Sequence, residues 1–207
     1  MHGKPQIHLE GKVAIVTGAS RGIGEAIAKS YARHGARVVV AARKIDGLAR
    51  VVAEIEAEGG QALAVAAHTG HEGQIVELVA KAAAHFGQVD VLVNNAATNP
   101  YFGPMMNLEW GAWDKTFDVN VKGYFTATRE LVKHLYARKA PGAVVNVASV
   151  VGFMGSPLQG IYGMTKWIGE FYARNSASPC ATVRTSWLFG PGTPNNFVNA
   201  ILARLKK

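Results

Sequence analysis

Between residues 13 and 24 an apolar, β-branched run, Val13-Ala14-Ile15-Val16-Thr17, passes without a break into Gly18-Ala19-Ser20-Arg21-Gly22-Ile23-Gly24. Few segments restrict a fold so strongly. A short apolar strand that turns directly into a helix belongs to a parallel sheet with helices laid on its faces. Glycines at these three positions let backbone amides and a helix N-terminus come close to a pyrophosphate. A glycine trio alone describes many tight turns; placed between a strand and a helix it points to a cradle for a dinucleotide.

The remainder of the chain alternates short apolar blocks with longer periodic stretches, as a helix-covered parallel sheet requires. Strands are predicted at residues 13–17, 37–41, 62–66, 91–94, 142–148 and 182–187, and helices at 22–34, 46–58, 73–86, 110–138, 162–175 and 195–207. Right-handed crossovers then give a three-layer α/β/α domain with six parallel strands in the doubly wound order 3-2-1-4-5-6. With 207 residues and no repeat, low-complexity stretch or linker, one domain over residues 1–207 is expected, and 49% hydrophobic residues suffice for its core. The net charge of +8 would attract polyanions, but the basic residues are scattered, with only short pairs such as Lys206-Lys207, so no nucleic-acid partner is expected. No apolar run approaches the roughly 20 residues of a membrane helix, and residues 1–10 hold no signal-peptide core; no membrane association and a cytoplasmic location are the expectation. The single cysteine, Cys180, allows neither an internal disulfide nor a cysteine-based metal site.

Two further groups of residues carry chemistry. After the second strand, where an NAD site offers an acid to the ribose hydroxyls, the chain has Ala42, Arg43 and Lys44. With Arg21 in the glycine loop, Arg43 can pair with a 2′-phosphate, so NADP is expected and NAD disfavoured. Tyr162 and Lys166 stand four residues apart on one helix face, thirteen residues after Ser149. A nearby ammonium favours the phenolate and would pull the phenol below its usual pKa of about 10, so the pair reads as acid/base machinery beside a dinucleotide. His68 and His71 lack a clustered third ligand, and no metal site is expected.

From Gly11 to about Lys166 the chain resembles the short-chain dehydrogenase/reductase family and its Rossmann-type fold. The Thr-Gly-x-x-x-Gly-x-Gly pattern is met by Thr17, Gly18, Gly22 and Gly24, and Asn-Asn-Ala-Gly by Asn94, Asn95, Ala96 and Ala97, with alanine replacing the last glycine. The family's acidic residue after the third strand is also absent, since that stretch reads Ala66-Ala67-His68-Thr69-Gly70. The resemblance implies a catalytic set of Asn120, holding a relay water at a helix distortion, Ser149, orienting the substrate oxygen, Tyr162, the proton donor, and Lys166, which lowers the phenol's pKa and holds the nicotinamide ribose. It also implies a cofactor site of Gly18, Ser20, Arg21, Gly22, Ile23, Gly24, Arg43, Lys44, Thr69 through its backbone, Asn95, Ala96, Tyr162 and Lys166. The implied activity is NADP(H)-dependent hydride transfer to or from a small-molecule carbonyl or alcohol, in a homo-oligomer. Residues 94–122 look closest to carbonyl reductases of the family's shorter branch. Tyr101, Phe102, Met105, Met106 and Phe153 are candidates for an apolar substrate cleft, although such residues more often form ordinary core.

Beyond Lys166 the stretch Val183 to Gly192, followed by Asn195-Asn196-Phe197-Val198, resembles the extended branch and its sugar-nucleotide reductases of the dTDP-dehydrorhamnose reductase type. A seam is therefore expected near residues 162–180. The alternative to a working reductase is a recombined or truncated scaffold that binds NADP(H) with little or no turnover. A sensor of NADP(H) without turnover ranks last, because the four catalytic positions are intact.

Overall fold

The structure, a computed structural model, describes residues 9–175 and 180–185. Period-two patterning places the two core faces. In β1 (Val13–Thr17) every residue is buried, with Ala14 and Val16 entering one hydrophobic cluster and Val13 and Ile15 the other. β2 (Arg37–Ala42) divides in the same way, Val38 and Val40 to the first face, Val39 and Ala41 to the second. That double burial explains why these strands read as continuous apolar runs. Helices α1 (Gly22–Arg33) and α2 (Ile45–Ala57) cover the first face through Ile27, Tyr31, Leu48, Val51 and Ile55. Helix α3 (Glu72–Phe86) covers the second through Ile75, Leu78 and Ala82.

The chain continues through β3 (Gln61–Ala66), β4 (Val91–Asn94), α4 (Trp110–Phe117), α5 (Gly123–Arg138), β5 (Ala143–Ser149), α6 (Gly160–Asn175) and β6 (Cys180–Thr185). All pairings are parallel and the order is β3-β2-β1-β4-β5-β6, as the sequence predicts. Chain order reverses between β1 and β4, and a crevice opens beyond their carboxyl ends. α5 joins the second face through Ala127 and Leu131.

One predicted element differs. The single helix expected over residues 110–138 is divided by a π turn at Asp118–Lys122, which separates α4 from α5. Its cause is the anchoring of Asn120, described below. Strand β6 begins and ends two residues earlier than predicted, leaving Ser186 and Trp187 outside the described residues, as is the predicted helix at 195–207. Among the described residues no helix is long and apolar enough to cross a membrane.

Candidate active site

A cleft of about 740 Å3 lies at the strand-order reversal. Of the residues singled out in the sequence, Gly18, Ser20, Arg21, Ile23, Gly24, Arg43, Lys44, Thr69, Asn95, Ala96, Tyr162 and Lys166 line it. Gly22, Asn120 and Ser149 do not. Gly22 sits at φ +63 with open space where a side chain would begin, so it serves the turn and not the wall.

The floor is stitched by Thr17 and Asn95. The Thr17 hydroxyl accepts from the Asn95 and Ala96 backbone N–H groups at 3.0 and 3.1 Å and donates to the Val93 carbonyl at 3.1 Å. The Asn95 amide donates back to the Thr17 and Gly18 carbonyls at 2.8 and 3.3 Å. β1 and β4 thus end in one hydrogen-bonded unit, which fixes the glycine turn. Thr69 faces the cleft while its carbonyl packs against Gly123 of α5.

At one end the cleft is cationic. Arg50 is held by Glu25 and Glu54, and Arg33 by Glu58, yet among the described residues Arg21, Arg43 and Lys44 form no ion pair with a carboxylate. Lys115 of α4 and His68 complete this end, neither assigned there from sequence because each arrives from a separate crossover. Burial and the neighbouring charges of His71, Arg43 and Lys115 hold His68 below the usual imidazole range. Its Nδ1 accepts from the Gly70 N–H at 3.0 Å, and its ring lies 4.6 Å from that of His71. Among the described residues no third His, Cys, Asp or Glu joins them in a metal-ligand group. The one acid at this end, Asp46, stands in the first turn of α2, where a carboxylate complements the helix dipole.

At the other end Ser149, Tyr162 and Lys166 converge. Ser149 is the last residue of β5, and its side chain shares a hydrogen bond with Tyr162 that favours the phenolate. Burial outweighs this bond and lifts the phenol above its ordinary value, contrary to the expectation that the lysine would lower it. The reason lies with Lys166, buried and itself pulled down to about 7 by desolvation. Its ammonium donates to the Val147 carbonyl at 2.9 Å and to the Tyr124 hydroxyl at 3.2 Å, and lies 5.7 Å from the Tyr162 ring centroid. Near neutrality such a lysine carries only part of a positive charge with which to act on the phenol.

Asn120 stands behind the cleft. Its carbonyl oxygen accepts from the Thr98 N–H at 2.8 Å, and its amide donates to the Thr98 carbonyl at 2.9 Å and to the Thr165 hydroxyl at 3.1 Å. Thr165 in turn donates to the Tyr162 carbonyl at 2.8 Å. One buried amide thereby ties the loop after β4 to the helix that carries Tyr162, and the π turn is the backbone conformation that presents it. The candidate substrate residues behave differently from core. Phe102, Met105, Met106 and Phe153 are exposed, and the Tyr101 hydroxyl donates to the Pro104 carbonyl of its own loop at 2.7 Å. This loop docks beside α6: the Gly103 N–H donates to the Leu158 carbonyl at 3.0 Å, and Met105 packs on Gly160.

Known proteins share this arrangement. The family model of the short chain dehydrogenases matches residues 12–186. Dehydrogenase/reductase SDR family member 4 of Bos taurus is 39% identical over 158 residues, covering 76% of this chain and 56% of that protein. A probable tetrahydroxynaphthalene reductase of Zymoseptoria tritici is 37% identical over 174 residues, covering 83% of this chain and 64% of that one. The chain therefore spans a little over half the length of the curated relatives it matches. A metagenomic short-chain oxidoreductase solved in complex with NADP superposes with a TM-score of 0.86 at 32% identity, covering 95% of this chain and 90% of that one. By its family match, its relatives and its fold, the chain belongs to the short-chain dehydrogenase/reductase family of oxidoreductases.

Proposed function

We propose that the chain is an NADP(H)-dependent reductase of small-molecule carbonyl compounds, and in reverse a dehydrogenase of the alcohols, with Tyr162 as acid/base. The carrying observation is that Tyr162 and Lys166 line the same cleft as Gly18, Gly24 and the unpaired Arg43. This lining fits a phosphorylated dinucleotide: backbone amides of the glycine turn suit the pyrophosphate, and the free cations suit a 2′-phosphate. When bound, NADP(H) supplies or accepts the hydride. The chain's own part is to hold the substrate oxygen between the Ser149 and Tyr162 hydroxyls and to deliver a proton from Tyr162. Lys166 has three N–H donors, two already committed, so one remains for a ribose hydroxyl or for the developing phenolate. The exposed apolar residues of the loop beside α6, Phe102, Met105 and Met106, favour an apolar carbonyl substrate.

Fluorescence titration with NADPH and NADH, followed by turnover on ketones and aldehydes, tests this reading. NADPH is expected to bind at least tenfold more tightly. Arg43→Ala should weaken NADPH by about 10- to 100-fold, the loss of a charge-assisted pair, with NADH unaffected. Equal affinity for the two nucleotides in the wild type would overturn the assignment of Arg43, and binding without turnover on any carbonyl would favour the scaffold reading.

We also propose that the protein is a homo-oligomer. Phe125 and Tyr136 on α5 and Trp167 and Phe171 on α6 are exposed aromatic residues, more than a solitary subunit usually leaves in water on two helices. Light scattering at micromolar concentration should give at least twice the 207-residue mass; a monomer would refute it.

A further inference from the structure

Lys166 is held from a direction that the four catalytic positions do not supply. Tyr124, in the first turn of α5, is 7% exposed, and its hydroxyl accepts from Lys166 Nζ at 3.2 Å. Its ring centroid lies 5.2 Å from the same nitrogen, within the range of a cation–π attraction. Across the ammonium stand the Val147 carbonyl of β5 at 2.9 Å and, on α6, the ring of Tyr162. Asn120 of the π turn reaches α6 at Thr165, and buried Glu170 lies one turn beyond Lys166 on the same helix. Between these groups the ammonium has two fixed acceptors and an aromatic face. Without Tyr124 it would keep the single carbonyl and lose the wall that stops the side chain swinging away from the cleft.

We propose that Tyr124 is a positioning residue for the acid/base pair, which seats the Lys166 ammonium against β5 with one N–H left for the cleft and favours its charged form. A hydrogen bond accepted from the ammonium exists at full strength only while the lysine is charged, so it opposes the burial that pulls Lys166 down. The tie also runs toward Tyr162. Burial, and then the charge on Tyr162, raise the Tyr124 phenol, so Tyr124 stays neutral and a hydrogen-bonding acceptor while Tyr162 titrates. For its kinetic consequence the proposal rests on the acid/base reading above; for the state of Lys166 it does not.

Two readouts on Tyr124→Phe separate the parts. Nitrogen-15 NMR of labelled lysine, with the Lys166 resonance assigned by its loss in Lys166→Met, reports the titration midpoint of Nζ without any turnover. The midpoint is expected to fall by about half to one pH unit in Tyr124→Phe, the effect of one hydrogen bond to a charged group. In the pH profile of carbonyl reduction the alkaline limb should move down by the same amount. At pH 8 kcat should then drop about three- to tenfold, recovering toward pH 6, with KM for the carbonyl unchanged. A purely structural role would lower activity at every pH and leave the midpoint in place, and that result overturns the proposal. Should Tyr124→Phe fail to fold, Tyr124→Met removes hydroxyl and ring while retaining bulk, and it should shift the midpoint further in the same direction; an unmoved midpoint again overturns it. If Tyr162→Phe retained full turnover, the acid/base reading would fall while the NMR shift would still decide the seating of Lys166.

Discussion

Tyr162→Phe is expected to lower kcat for carbonyl reduction by about a thousandfold while leaving NADPH affinity within about threefold of the wild type. The change deletes one oxygen from a ring that stays in place between Ile161 and Gly163, both buried, so folding has little reason to respond. What disappears is the phenol hydroxyl, together with the hydrogen bond it shares with Ser149. The Ser149 hydroxyl and the Lys166 ammonium remain and can still polarise a carbonyl, and this sets a floor above the uncatalysed rate. The pH dependence of the wild type follows from the two environments. Because burial lifts Tyr162 above 10, the phenol is protonated throughout the neutral range and can serve as an acid. Alcohol oxidation needs the phenolate and should rise with pH over the same range. Lys166, near 7, loses its charge as pH climbs through neutrality, and with it the ability to stabilise the phenolate left by proton donation; reduction should therefore decline above about pH 7. Steady-state kinetics of both directions from pH 5.5 to 9.5 check these slopes. Turnover in the phenylalanine variant within a factor of five of the wild type would remove Tyr162 from the chemistry.

Gly24→Ala should cost about 2–4 kcal/mol of stability and weaken NADPH at least tenfold. A methyl group on Gly24 would overlap the Gly18 carbonyl oxygen and stand 2.6 Å from the Asn95 amide nitrogen. Neither neighbour can retreat. Gly18 already lies so near β4 that a side chain on it would meet the Ala96 Cα at 2.9 Å, and the Asn95 amide is bonded to both the Thr17 and Gly18 carbonyls. The loop can accept the methyl only by breaking the contact between the ends of β1 and β4, which is the floor of the cleft. Gly22→Ala makes the contrast, since open space surrounds that position and only the φ of +63 opposes a side chain, at about 1–2 kcal/mol. Urea unfolding of both variants, with nucleotide titration under native conditions, distinguishes crowding from backbone strain. Equal losses in the two would refute the packing argument.

The strands were readable because burial on both faces leaves an apolar block whatever the neighbours are. β1 and β4 have the bounds expected of them, and β2, β3 and β5 differ by one residue at an end. The break in the long helix was not readable from apolar periodicity. Thr116, Val119, Asn120, Gly123, Tyr124 and Ala127 are all buried, and their spacing fits a continuous helix nearly as well as an interrupted one. What interrupts it is a hydrogen-bonded tie from Asn120 to Thr98 and Thr165, residues 22 and 45 positions away. Within the site, the glycine turn, Arg43, Tyr162 and Lys166 announce themselves by residue type and spacing. His68, Lys115 and Tyr124 do not, because their roles depend on which crossover faces the cleft. The sign of the Tyr162 shift was unreadable for a related reason. Spacing brings a lysine near the phenol, but how deeply both are buried is set by α5 and β5.

The π turn at Asp118–Lys122 also has an arithmetic consequence for how this chain can vary in length. A turn closed by bonds to the fifth residue holds one residue more than its α-helical counterpart, and each residue of a helix advances the azimuth by about 100°. Deleting one residue here would make the helix regular and at the same time turn every side chain of α5 by more than a quarter of a circle. Leu131 would leave the sheet and Tyr124 would leave Lys166. In the loop after β4, a single added or removed residue can be absorbed locally. In the π turn, length is fixed to the residue, because one position sets the phase of the whole helix that follows.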